Sequence, residues 1–209
     1  MLEALALAQE TSDFVRDRHF GIASASLGFR YGRSTVEDTG DARFSGYDIH
    51  LDLAARGLYG KRFGWAFGLG LSAGGILPQG VDLRFDFLPA GIGVALPRMG
   101  FVTLVGGIRP VVSSYDPYGL FLFPVELRTE IDLSRVMRLV VAAELDFSTV
   151  PRGHVPGTDG FSALVALRYG HGDRDGHLTR GRYVGVQVWE VRGVPYLGFV
   201  LGIQAGFGG

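Results

Sequence analysis

The stretch Tyr47-Asp48-Ile49-His50-Leu51-Asp52-Leu53 alternates strictly between apolar and ionisable residues. Successive side chains of an extended strand point to opposite faces, so Tyr47, Ile49, Leu51 and Leu53 make one hydrocarbon face and Asp48, His50 and Asp52 the other. The pattern recurs. Val81 to Phe87 sets Asp82, Arg84 and Asp86 against Val81, Leu83, Phe85 and Phe87. Phe123 to Leu133 sets Glu126, Arg128, Glu130 and Asp132 against Val125, Leu127, Ile131 and Leu133, and Met137 to Thr149 puts Arg138, Glu144 and Asp146 opposite Leu139, Val141 and Leu145. Both charge signs share each polar face. Such a face is either the ion-paired interior of a small membrane barrel or the wet outside of a soluble one.

Composition narrows the classes. A chain of 209 residues suits a single all-β domain. Glycine accounts for 33 of them, about double its usual share of roughly 7%, without a triplet repeat or a polar low-complexity tract, so glycine here serves packed structure. A net charge of -1 with no basic stripe argues against a nucleic-acid partner. The absence of cysteine removes disulfides, thiolate metal sites and cysteine nucleophiles together. Lys61 is the only lysine, so nearly all positive charge is arginine, the cation suited to fixed, partly desolvated carboxylate pairs. No apolar run approaches the roughly 18 to 20 residues of a transmembrane helix, which excludes a helical membrane protein.

The first residues, Met1 to Gln9, read as the remnant of a secretory signal, with Ala6 and Ala8 before Gln9, or as part of a short amphipathic helix ending near Arg18. The barrel domain is expected over residues 19–209. From His19 onward the apolar period is close to two, punctuated by Gly, Pro, Asp and Ser. The spacing predicts an antiparallel up-and-down meander of about ten strands: 20–33, 44–58, 63–76, 81–96, 101–112, 120–133, 137–149, 161–169, 182–191 and 196–207. Eight strands with an added hairpin is the alternative. Leu88-Pro89 reads as a bulge, since proline cannot donate to a ladder. Connections after strands two, four and six are short and those after one, five and seven longer, the asymmetry of periplasmic turns and external loops. The connections 171–181 and 192–194 break that rule.

The third strand bears on which face is outside. Phe63, Trp65, Phe67, Leu69 and Leu71 alternate there with Gly64, Ala66, Gly68, Gly70 and Ser72. A solvent face of Gly, Ala and Ser would gain no solubility and weaken the strand. In a narrow lumen, glycine opposite bulky neighbours lets the interior close. The expected lumen network is Asp48, His50, Asp52, Arg56, Asp82, Arg84, Asp86, Arg109, Glu126, Arg128, Glu130, Arg138, Glu144 and Asp146. The expected lipid-facing set is Leu51, Leu53, Trp65, Phe67, Leu69, Leu83, Phe85, Leu127, Phe199 and Leu201. Tyr183 and Trp189 share a face of strand nine and read either as part of an aromatic girdle or as packing.

No motif requires a cofactor or a metal. His171-Gly172-Asp173-Arg174-Asp175-Gly176-His177 has the alternating oxygens of a calcium loop, but position twelve is Arg182 instead of an acid, so a solvated turn is expected. Gly68-Leu69-Gly70 lacks the strand-to-helix setting of a phosphate loop. Asp48, His50 and Asp52 share a face on which a carboxylate could tune an imidazole, yet no serine-nucleophile motif accompanies them.

The terminal run Leu197, Phe199, Leu201, Ile203, Ala205, Phe207 resembles the C-terminal assembly signal of small bacterial outer-membrane β-barrels, an alternating apolar strand ending in an aromatic residue. This chain departs from it in carrying Gly208 and Gly209 beyond the aromatic residue. The resemblance covers residues 19–207 and implies a transmembrane β-barrel in the outer membrane of a Gram-negative bacterium, with membrane lipid, and protein partners in a membrane assembly, around it. Function is expected to be structural, anchoring or narrow-passage, with a charged, plugged lumen and no enzymatic activity. Two other readings stand beside it: a soluble lipocalin-like barrel with Leu51, Phe67, Leu83 and Phe85 around an apolar ligand, and an outer-membrane hydrolase using His50 with Asp48 or Asp52.

Overall fold

The computed structural model describes residues 20–34, 46–60, 62–96, 100–114, 120–134, 136–149, 151–172 and 178–208. They form ten strands: β1 (Phe20–Ser34), β2 (Tyr47–Gly60), β3 (Phe63–Leu77), β4 (Gly80–Leu96), β5 (Gly100–Ser113), β6 (Leu120–Ser134), β7 (Met137–Ser148), β8 (Thr158–Gly172), β9 (Leu178–Val191) and β10 (Val194–Gly208). Each strand pairs antiparallel with its sequence neighbour, and β10 returns to β1 through a ladder running from Ile22↔Gly208 to Ser34↔Tyr196. The protein is an all-β, closed, up-and-down barrel of ten strands. Closure leaves no strand edge, so every ladder has a partner. The expected eight-strand variant is excluded, because β8, β9 and β10 all belong to the wall. The N-terminal signal remnant or helix lies outside the described residues.

Alternation sets which way each strand turns its faces. The inward side of β2 carries Asp48 and His50, both buried, while Leu51 and Leu53 are half exposed on the outside. Large apolar side chains are exposed on all ten strands, from Leu27 on β1 to Val184, Val186 and Val188 on β9 and Leu197, Phe199, Leu201 and Ile203 on β10. The inverted arrangement, with these residues around an apolar cavity, is thereby corrected. Leu51 and Phe85 are exposed, Phe67 stacks on the outward Trp65 at 5.0 Å, and Leu83 lies between the outward Val81 and Phe85 on its strand face. Carboxylates and guanidinium groups fill the space those residues would have needed.

Proline marks the irregularity in β4. The β4–β5 ladder shifts register between Phe87 and Ala90, and β3–β4 shifts between Trp65 and Gly68. The bulge leaves the Pro89 carbonyl outside the ladder, and it accepts the Trp65 indole N–H at 2.8 Å. That bond pairs two polar groups on an otherwise apolar outer face.

Strands eight and nine are longer than the alternation predicted. Gly170↔Gly181 and His171↔Arg180 still pair, so the connection contracts to 173–177. Backbone pairing continues there although the hydrophobic pattern has faded at Gly170-His171-Gly172. The barrel thus has one end with both long and tight joints, after β1, β3, β5, β7 and β9, called here the loop end. The opposite turn end has joints of 61–62, 97–99, 135–136 and 173–177.

Candidate functional site

The interior of the barrel gathers most of the ionisable side chains among the described residues, in three groups. At the loop end, Asp48 on β2 accepts the Trp189 indole N–H at 2.7 Å, stands 2.7 Å from His50 Nε2 and pairs with Arg30 at 3.6 Å. His50 Nδ1 lies 2.9 Å from the Ser72 hydroxyl on β3, and Asp82 on β4 approaches Nε2 at 3.7 Å while accepting two bonds from Arg84, at 2.9 and 3.0 Å. Trp189 stacks on Tyr196 at 5.5 Å, and the Arg30 guanidinium lies 5.2 Å from the Trp189 ring. Trp189, Tyr196, Ile76 and Val194 make a small apolar core over this network.

A second group crosses the barrel. Arg109 on β5 bonds to Asp86 on β4 through Nε, to Glu144 at 2.8 and 3.0 Å and to Asp146 at 2.7 and 2.9 Å, both on β7. Arg56 on β2 reaches Glu126 on β6 through two bonds, at 3.2 and 3.1 Å. The fork of a guanidinium matches a carboxylate, so the Arg56–Glu126 pair fixes two walls that are four strands apart in the sequence order. Toward the turn end a third group centres on Glu130, which accepts from Arg128 at 2.9 Å, Arg138 at 3.1 Å and Arg168 at 2.8 Å. Arg138 also bonds Asp132. Leu58, Ala66, Leu88, Phe101 and Val105 pack as an apolar core inside the same half.

Glycine makes room for the largest interior rings. A Cβ on Gly28 or Gly202 would overlap the Tyr183 phenol, and one on Gly32 or Gly198 would overlap the Trp189 indole. The girdle reading of Tyr183 and Trp189 is therefore corrected. Val184, Val186 and Val188 take the outward positions of β9, and the rings of Tyr183 and Trp189 lie over glycines of β1 and β10. Between the groups remains a cavity of about 250 Å³. Arg30, Asp52, Arg84, Arg128, Tyr183 and Gln204 are among its lining residues.

All fourteen residues expected in the lumen network lie on inward faces of the wall. They do not form one cluster. Asp52 stays apart from His50 and lines the cavity. Ser72, Arg30, Arg168, Asp132 and Trp189 join the networks although none of them belongs to the expected lumen set. Asp132 shares its face of β6 with Glu126, Arg128 and Glu130, so strand parity held its signal; the other four lie on β1, β3, β8 and β9, strands with no residue in that set. Of the residues expected outside, Leu51, Leu53, Trp65, Leu69, Phe85, Leu127, Phe199 and Leu201 are exposed, and Phe67 and Leu83 are half-buried.

Ser72, His50 and Asp48 together have the groups of a nucleophile relay. The His50 and Asp48 side chains, however, have no exposed surface. Through its contacts with Ser72, Asp82 and Trp189 the pair joins β2 to β3, β4 and β9. A further contact, at the loop end of the cavity, holds the β7–β8 connection: Glu190, with a buried carboxylate, accepts the His154 backbone N–H at 2.7 Å and lies 2.8 Å from His154 Nδ1.

No family model matches the chain, and no curated protein matches it. Among solved structures, the translocator domain of the autotransporter NalP from Neisseria meningitidis is similar over 98% of this chain and 95% of that chain, with 10% sequence identity and a TM-score of 0.39.

Proposed function

We propose that this protein is an integral outer-membrane barrel whose lumen is plugged by its own ion-paired side chains, serving as a structural, anchoring or narrow-passage element. The observation that supports this reading most is the belt of exposed apolar side chains on all ten strands, wrapped around an ionic interior. A soluble monomer rarely exposes a contiguous apolar patch above a few hundred Å². Strands of 12 to 17 residues also exceed the length of about 9 to 11 needed to cross a bilayer at a tilt. Membrane lipid is then the first partner, and proteins of a membrane assembly the second.

Single cysteines at Leu69 and Asp52 test the orientation. A lipid-phase probe is expected to label position 69 and spare position 52; the reverse result, or a monodisperse β-rich protein without detergent, refutes membrane insertion. Planar-bilayer recording tests the plug. The expected trace is silent, because ten strands leave little room and bulky Arg and Glu side chains occupy it, whereas broad aqueous channels use about 16 to 18 strands. Large, steady openings would make the protein a porin instead.

A further inference from the structure

The outer face carries almost no charge, and its exceptions on β9 stand together. Arg180 and Arg182 are exposed, two residues apart on the face that continues as Val184, Val186 and Val188. Across the ladders Arg182 pairs with Tyr169 on β8 and Ile203 on β10, and Arg180 pairs with Ala205. Tyr169 is itself exposed on that face. Among the described residues neither arginine has a hydrogen bond or an ion pair, and no Asp or Glu sits at those neighbouring positions. This contrasts with the interior arginines, nearly all of which face a carboxylate.

A guanidinium on a lipid-facing strand is costly at the bilayer midplane and nearly neutral at the interface, so two on one face place that level of β9 at the headgroups. Tyrosine belongs to the same interfacial layer. An unpaired guanidinium needs an anionic oxygen acceptor, and phosphate matches its fork. The geometry points to a headgroup site at the turn end, in which Arg180 and Arg182, beside Tyr169, hold the phosphodiester of an anionic glycerophospholipid. The site rests on the membrane reading above. A zwitterionic choline headgroup brings its own cation against the arginines and is disfavoured.

The test uses the full chain reconstituted in vesicles. Quenching of the outward Trp65 by brominated acyl chains reports insertion. A second reporter, Val184→Trp in a Trp65→Phe background, reports which lipid sits beside Arg182 when brominated phosphatidylglycerol competes with phosphatidylcholine. A preference of about fivefold per arginine, about twenty-fivefold for the pair, is expected at low salt, falling toward unity in Arg180→Gln/Arg182→Gln and with added salt. Insertion with no preference, or with a preference unchanged in the double variant, overturns the headgroup site and leaves the membrane reading standing. Loss of the preference on adding inorganic phosphate at matched ionic strength assigns the arginines to free phosphate and overturns the lipid assignment. No quenching of Trp65 overturns the membrane reading and the site together.

Discussion

The two sides of the barrel interior are filled by different physics. Where β9 and β10 meet β1, the filler is aromatic: Tyr183 lies over Gly28 and Gly202, and Trp189 over Gly32 and Gly198. From β4 to β8 the filler is ionic, with Arg109 shared by three carboxylates and Glu130 shared by three guanidinium groups. The aromatic side depends on absent atoms, since a single Cβ has nowhere to go. The ionic side depends on charge balance, since each buried charge is tolerable only with its partner present. One side should therefore be sensitive to side-chain size and the other to side-chain charge.

Removing the hub of the ionic side is expected to have the largest effect. Glu130→Gln leaves Arg128, Arg138 and Arg168 without their shared carboxylate, and breaking a buried pair costs about 3 to 5 kcal/mol. Urea unfolding in lipid vesicles measures it; a loss under about 1 kcal/mol, the range of exposed pairs, would show that the lumen is wet enough to screen these charges. The Arg56–Glu126 pair sharpens the point. Arg56→Met alone should cost about as much as one broken pair, while Arg56→Met with Glu126→Met should recover most of the loss, because no charge is left stranded. A double variant no better than the worse single one would mean that the fork holds β2 to β6 by more than charge.

The aromatic side should break by size. Gly32→Val forces the Trp189 indole away from Asp48 and Tyr196, an overpacking cost of about 1 to 3 kcal/mol. Pairing it with Trp189→Leu should return part of that cost by vacating the space, at the expense of the indole hydrogen bond to Asp48. Val at Gly32 with no change in unfolding would show that the ring has other room. Charge-neutral Gly32→Val and volume-neutral Glu130→Gln thus probe the two sides separately.

The difference also explains what the sequence could show. Alternation around Asp48, His50 and Asp52 revealed the charged face, and glycine against Trp65, Phe67 and Leu69 revealed which face had to close. Those are properties of one strand. Partners across the lumen are set by register and by closure of the ladder, so nothing local could match Arg56 with Glu126, 70 positions away, or Trp189 with Asp48, 141 away. Trp189 suited a girdle from its own strand alone; only the glycines of β1 and β10, brought beside it by closure, make the inside its place. The extra length of β8 and β9 was hidden for a related reason, because backbone pairing at Gly170↔Gly181 leaves no mark on hydropathy.

The smallest effect is expected where neither size nor buried charge balance is at stake. His154 is mostly solvent-exposed, and its contact with Glu190 ties the β7–β8 connection to the end of β9. His154→Ala removes the imidazole but keeps the backbone N–H that donates to Glu190 Oε1 at 2.7 Å, so the carboxylate retains a donor. A loss of about 1 kcal/mol or less in global unfolding follows from one modest hydrogen bond, with faster proteolysis confined to the connection 149–157. A loss comparable to that of Glu130→Gln would place Glu190 among the charges that hold the wall, and the division between an ionic side and a glycine-aromatic side would then have to include the loop that covers it.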